Sequence, residues 1–212
     1  MTDLPMLTAT RAYYDTVAED YAERVRGAFA RDVWGRAMIA GFVEEVCADG
    51  GLPVADLGCG PGHVTAHLEG LGVRAFGVDL SPGMVDVARR EHPGLRFEVG
   101  AMAALDLPDG ELGGVIAWWS ILHTPPSLLP LLFEEFHRVL SPGGRLLLGF
   151  HAGEDEPYAG RRRDDGVSYD IHLHSPDRVD AVLGRAGFVT TARMLGEGER
   201  WPWACLAGRV PE

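Results

Sequence analysis

The stretch VADLGCGPGHVT at residues 54–65 constrains this chain more than any other. An apolar run that stops at a glycine-rich turn and continues as a helix is a strand-to-helix junction. Its alternating glycines, Gly58, Gly60 and Gly62, remove the side chains that would keep a ligand away from the backbone amides. Asp79 stands nineteen positions after Gly60 and closes a second apolar run in GVDLSPGM. A carboxylate at the end of the neighbouring strand is placed to accept both hydroxyls of a ribose. Together these features predict a parallel sheet that holds a nucleoside at its carboxyl edge.

The remaining sequence alternates between the two periodicities. Residues 11–26 and 33–49 carry helical patterning, and strand-like runs occupy 54–57, 74–78, 96–99, 115–119 and 145–150. Ser81-Pro82 and Ser175-Pro176 each read as an N-cap followed by proline at the first helical position, opening helices over 82–92 and 175–186. A third, amphipathic helix over 128–140 stops at Ser141-Pro142-Gly143-Gly144. Strands separated by helices pair in parallel, because a parallel connection needs a crossover of about a dozen residues. The last two runs, 189–195 and 203–207, are joined by a short loop and must be antiparallel. The charge-rich stretch 153–166 reads as a solvated loop.

A chain of 212 residues that is 46% hydrophobic supports one core. Its formal charge of −12 argues against a phosphate backbone as partner. Three widely spaced cysteines, Cys47, Cys59 and Cys205, suggest neither a disulfide framework nor a metal knuckle, so a reducing cytoplasm is expected. Neither a leader pattern nor a long uncharged apolar run is present, so neither export nor a membrane span is expected.

Ribose recognition suits NAD and S-adenosylmethionine alike. A dinucleotide fingerprint needs a small residue where His63 stands, which disfavours a pyrophosphate. The segments VADLGCGPGHVT, GVDLSPGMVDVAR, LRFEVGAMAALDLPDGEL, GVIAWWSILHTPP and FHRVLSPGGRLLLGF resemble the successive motifs of the class I S-adenosylmethionine-dependent methyltransferases, in their small-molecule branch. The resemblance spans roughly residues 11–209. It implies an α/β, Rossmann-like three-layer sandwich with a seven-stranded, mostly parallel sheet in the order 3-2-1-4-5-7-6, strand 7 antiparallel. It also implies a single domain over 1–212, with an N-terminal helical lid (1–50) on the core (51–212). S-adenosylmethionine is the implied cofactor and S-adenosylhomocysteine the product. Gly58 and Gly60 would line its methionine part, Asp79 its ribose, and Leu80 and Met84 its adenine. Ala101 and Met102 would flank the adenine edge, where relatives often carry an aspartate. AYYDTVAEDYAERV resembles the segment that closes over the cofactor, and Tyr14 and Tyr21, seven apart, share one helical face. An aromatic ring beside a sulfonium is attractive by about 0.5–2 kcal/mol.

Acceptor chemistry is sought at the end of the fourth strand, where Trp118 and Trp119 point to opposite faces; Trp118 is expected at the cofactor and Trp119 at the acceptor. No [DNS]-P-P-[YFW] motif stands there, only Thr124-Pro125-Pro126-Ser127, and tryptophan cannot coordinate magnesium. Both facts disfavour base-modifying and metal-dependent subclasses. His123, just beyond the strand, is the expected base, with a pKa suited to proton abstraction, and Tyr14 an alternative. His151, at the end of the fifth strand, is a second candidate for the base or acceptor-orienting group and is expected at the acceptor together with Tyr169, His172, Trp201 and Trp203. Asp170, His172 and His174 alternate along one strand face, suggesting acceptor contact, a polar surface or a metal site. His63, His67, His92 and His137 read as structural or solvated, and Cys59 as a small filler of the glycine turn. The expectation is a cytoplasmic methyltransferase, monomer or homodimer, acting on a small hydrophobic or aromatic metabolite. An NAD-dependent oxidoreductase and a non-catalytic S-adenosylmethionine-binding regulator are the alternatives.

Overall fold

The computed structural model describes residues 5–48, 50–155, 157–159 and 170–212. Two helices come first, α1 (Pro5–Arg31) and α2 (Val33–Ala48). Asp32 between them caps α2, its Oδ1 accepting from the Gly35 amide at 2.8 Å. Then follow β1 (Val54–Leu57), α3 (His63–Gly70), β2 (Ala75–Asp79), α4 (Pro82–Glu91), β3 (Arg96–Val99), β4 (Leu112–Trp118), α5 (Leu129–Val139) and β5 (Leu140–His151). A short ribbon of β6 (Pro157–Ala159) and β7 (Asp170–His172) precedes α6 (Pro176–Arg185) and the hairpin β8 (Val189–Gly196) and β9 (Trp203–Arg209).

Seven strands form one sheet in the order β3-β2-β1-β4-β5-β9-β8, with β9 antiparallel to both neighbours. With the separate β6–β7 ribbon set aside, this is the expected 3-2-1-4-5-7-6 order. The alternation of buried side chains sorts the helices onto two faces. Leu57, Val115, Leu148 and Leu206 meet Phe133 and Phe136 of α5 and Val182 of α6 on one face. Val54, Ile116, Leu147 and Cys205 meet Ile39, Phe42 and Val46 of α2 and Leu68 of α3 on the other. Ser81 and Ser175 cap their helices as predicted, each hydroxyl accepting a backbone amide, from Met84 at 3.1 Å and Arg178 at 3.4 Å.

Four local expectations need correction. Helix α1 begins at Pro5 rather than near residue 11. Strand β4 begins at Leu112 because Gly113 and Gly114 serve close packing rather than a turn: a Cβ on Gly114 would lie 2.7 Å from the Phe42 ring. The Ser141–Gly144 segment lies inside β5, at an irregularity of register against β4. Residues 157–159, read as solvated loop, pair with β7.

Candidate active site

The carboxyl ends of β1, β2 and β4 open into two adjoining cavities beneath α1. The first is bounded by Gly58, Gly60, Asp79, Leu80, Met84, Ala101, Met102, Trp119, Ser120 and His123. The second is bounded by Asp56, Gly58, Gly60, His63, Trp118, Trp119 and His151, with Phe29 and Asp32 from the lid side and Ile171 from β7. Tyr14 and Tyr21 border both, so the two aromatic rings of α1 stand at the junction. They meet edge to face, with centroids 5.4 Å apart.

The glycine turn is built around Asp79. Gly58 (φ 75°) and Gly60 (φ 53°) occupy the left-handed region, open to glycine at little cost. The Gly60 amide donates to Asp79 Oδ2 at 2.8 Å and the Ser81 amide to Oδ1 at 2.9 Å. Asp79 therefore braces the loop as well as bordering the cavity, a role the sequence reading did not include. Burial raises its pKa to about 6 against these two hydrogen bonds. Behind the turn, Thr65 donates to buried Asp56 at 2.7 Å, and burial raises the pKa of Asp56 to about 7. Cys59 is buried under the turn, its thiol pushed up by burial, and Gly77 leaves it room.

Helix α1 is fastened over the cavities by contacts invisible in sequence. Asp15 Oδ1 accepts from the Ser81 hydroxyl at 2.6 Å and from the Gly83 amide at 3.0 Å, so α1 clasps the N-terminus of α4. A Cβ on Gly83 would come within 3.1 Å of the Asp15 backbone. Arg26 adds an exposed ion pair to Glu91 at 2.7 Å.

The sharpest polar contact at the junction is Tyr14 to His123. The phenol oxygen lies 2.9 Å from His123 Nε2, and His123 Nδ1 lies 3.1 Å from the Asp170 carbonyl oxygen. A carbonyl only accepts, so Nδ1 carries the proton, and Nε2 accepts from the Tyr14 hydroxyl. Burial lowers the His123 pKa to about 4, which corrects the expectation of an ordinary histidine pKa. The ring is neutral at pH 7 and a weak base. The short helical turn Ile121–His123 that carries it is pinned by His174, whose Nε2 donates to the Ile121 carbonyl at 3.1 Å.

Trp119 has φ 56°, an outlier for a bulky residue and a strain of about 1–3 kcal/mol. Its amide donates to the Gly149 carbonyl at 2.8 Å, and its ring lies 4.9 Å from His151 and 5.8 Å from Trp118. Trp118, expected at the cofactor, borders only the second cavity, its indole between Gly35 and Gly149. Trp201 reaches the cluster through His151, at 5.1 Å, without bordering either cavity. Trp203 packs on the β8–β9 hairpin and His172 lies buried beside His174; neither borders either of these two cavities. Tyr169 lies outside the described residues. Buried His172 and His174 are not a polar surface, and among the described residues no group of three or more His, Cys, Asp or Glu is arranged for a metal. His63, read as structural or solvated, borders the second cavity, held neutral with its pKa lowered to about 4 by burial.

Ser120 is a further residue the sequence reading missed. Its hydroxyl is buried at the first cavity without a hydrogen-bond partner. A turn lacking Cβ atoms, a carboxylate at the rim and an unpartnered hydroxyl fit a nucleoside with a polar amino-acid tail.

Comparison with known proteins agrees. Residues 54–144 match the model of a methyltransferase domain. Demethylmenaquinone methyltransferase of Symbiobacterium thermophilum is 30% identical over 149 residues, covering 65% of this chain and 57% of that protein. Trans-aconitate 2-methyltransferase of Methylobacterium nodulans is 39% identical over 109 residues, covering 49% of this chain and 40% of that protein. The chain thus spans roughly half the length of these relatives. Magnesium protoporphyrin IX methyltransferase of Synechocystis, solved with bound S-adenosylmethionine, shares the fold at a TM-score of 0.74 and 20% identity, covering 99% of each chain. Among the described residues no helix is long and apolar enough to cross a membrane. By domain match, relatives and fold together, the chain is similar to the S-adenosylmethionine-dependent methyltransferases.

Proposed function

We propose that this protein transfers a methyl group from S-adenosylmethionine to a small hydrophobic or aromatic acceptor, the whole chain acting as one domain with α1 and α2 as its lid. The observation that carries the reading is the Tyr14–His123 hydrogen bond at the junction of the two cavities. When bound, S-adenosylmethionine supplies a sulfonium methyl whose carbon–sulfur bond breaks, its electron pair staying on sulfur, as the acceptor's lone pair forms the new bond. Gly58, Gly60, Asp79, Leu80, Met84, Ala101 and Met102, all bordering the first cavity, would hold it there. Tyr14 and Tyr21 would flank the sulfonium, and their rings attract positive charge.

The protein's own part in the chemistry is alignment, exclusion of water and removal of one proton. A histidine with a pKa near 4 does not ionise a phenol or an amine beforehand. It is adequate once methyl transfer to an oxygen has begun, because an oxygen gaining a third bond approaches an oxonium, whose O–H is strongly acidic. The Tyr14 oxygen accepts that proton while its own passes to His123 Nε2, and the Asp170 carbonyl keeps the imidazolium oriented through Nδ1. Trp119 and His151 would contact the acceptor from the second cavity.

A monomer or homodimer in the cytoplasm fits the reading, supported by three free cysteines, two of them buried. Calorimetric titration with S-adenosylhomocysteine tests its first half: micromolar or tighter binding is expected, with NADH much weaker. Preference for NADH would overturn it.

A further inference from the structure

The second cavity constrains the acceptor more narrowly, and the argument rests on the methyltransferase reading above. Strand β4 ends at Trp118, and at Trp119 the chain turns through a left-handed backbone that glycine or asparagine would adopt with less strain. The retained feature is therefore the indole itself. It is half-buried, borders both cavities, and lies tilted by 38° against the His151 ring at 4.9 Å. A strained backbone that sets an indole in the wall of two cavities suits a stacking platform. The Gly149 carbonyl, taking the Trp119 amide at 2.8 Å, keeps that indole in place.

The charge around the platform selects among flat molecules. Asp32 and Asp56 border the second cavity, and no arginine borders it among the described residues. His63 and His151 border it as neutral rings, both pKa values lowered mainly by burial. Arg26 and Arg200 act on His63 and His151 from outside the wall, so among the described residues an anionic acceptor would meet two acidic side chains and no bordering arginine, and desolvating it would be poorly compensated. We propose that Trp119 determines specificity by stacking on the acceptor, and that the acceptor is a flat ring system, neutral or cationic, without a carboxylate or phosphate.

The test uses the intact protein saturated with S-adenosylhomocysteine and titrates 1-naphthol, indole, 5-hydroxyquinoline and 1-hydroxy-2-naphthoate by calorimetry. At least one of the three uncharged rings should bind, and 1-hydroxy-2-naphthoate should bind at least about tenfold more weakly than 1-naphthol. Trp119→Asn, which tolerates the backbone, should weaken the best ring by about tenfold or more. It should keep S-adenosylhomocysteine affinity within about threefold and melt no lower than the parent, since strain is relieved. Trp119→Phe should keep ring affinity within about threefold. Unchanged ring binding by Trp119→Asn, or tighter binding of the carboxylate, overturns the inference while leaving the methyltransferase reading intact. Cofactor binding with no ring bound by the parent overturns both this inference and the aromatic acceptor. Failure to bind S-adenosylhomocysteine overturns the reading on which it rests.

Discussion

Tyr14 and His123, 109 positions apart in the chain, are joined by a 2.9 Å hydrogen bond in which the phenol donates and Nε2 accepts. One residue belongs to the lid helix and the other to the turn after β4, so the contact exists only with the lid seated. On the proposed function, closing the lid and assembling the proton acceptor would be the same event.

Removing either partner should therefore lower turnover far more than cofactor binding. Tyr14→Phe and His123→Ala are each expected to lower kcat by about 100-fold, the usual scale for a general base. The double variant should be little worse than the slower single one, because the two act as a unit. S-adenosylhomocysteine affinity should stay within a few-fold in His123→Ala. Steady-state kinetics with titration of all three variants checks this, and parental turnover in either single variant would remove the pair from the mechanism.

Cofactor affinity should depend on pH through Asp79. The ribose hydroxyls favour the ionised carboxylate, and burial places its pKa at about 6. Affinity for S-adenosylhomocysteine should be flat above pH 7 and about tenfold weaker at pH 5, where roughly one carboxylate in eleven is ionised. Asp79→Asn should bind weakly at every pH and lose this slope. A pH-independent affinity in the parent would separate Asp79 from the ribose.

Stability should respond to acid with a definite sign. Seven histidines, at 63, 67, 92, 123, 151, 172 and 174, have pKa values lowered, mainly by burial. Below 6.5 the unfolded chain takes up their protons before the folded chain does, down to about 4 for His63 and His123, so their contribution is lost as pH falls. Asp56 and Asp79 oppose this, since their raised values let the folded form bind protons that the unfolded form releases. The histidines outnumber them, and melting temperature should fall between pH 7 and pH 5. A rise over that interval, measured by calorimetry, would contradict the burial of these rings.

The lid clasp should be separable from the chemistry. Asp15→Ala removes the acceptor for the Ser81 hydroxyl and the Gly83 amide. These contacts are partly exposed, so the effect is modest: S-adenosylhomocysteine affinity about three- to tenfold weaker, with faster hydrogen exchange confined to α1. Unchanged exchange in α1 would show that the clasp does not hold the lid.

Much of this was legible in the sequence for identifiable reasons. Parallel pairing followed from alternating periods and the antiparallel last pair from the short connection, the strand order came with the family resemblance, and the helix starts at 82 and 176 followed from Ser-Pro pairs. The glycine turn and Asp79 announced the cofactor because they act within nineteen positions of each other. What stayed hidden depends on distant chain segments. Nothing local tells that Asp15 will meet Ser81, sixty-six positions on, or that Gly114 admits α2, and Gly113 the backbone of Leu52, rather than break a strand. The pKa of His123 reflects burial by several elements together, and the left-handed turn at Trp119 runs against the residue's own preference. Trp203 and His172 misled because aromatic and histidine content near a sheet edge does not say which way a side chain faces.

The most direct test of the account is mass spectrometry of uncharged aromatic compounds incubated with the protein and S-adenosylmethionine carrying a trideuterated methyl group. The account predicts one labelled methyl on a flat, non-anionic acceptor, formed by the parent and nearly absent with Tyr14→Phe at equal cofactor saturation. Label that accumulates only on carboxylates, or equal labelling by the parent and Tyr14→Phe, would contradict it.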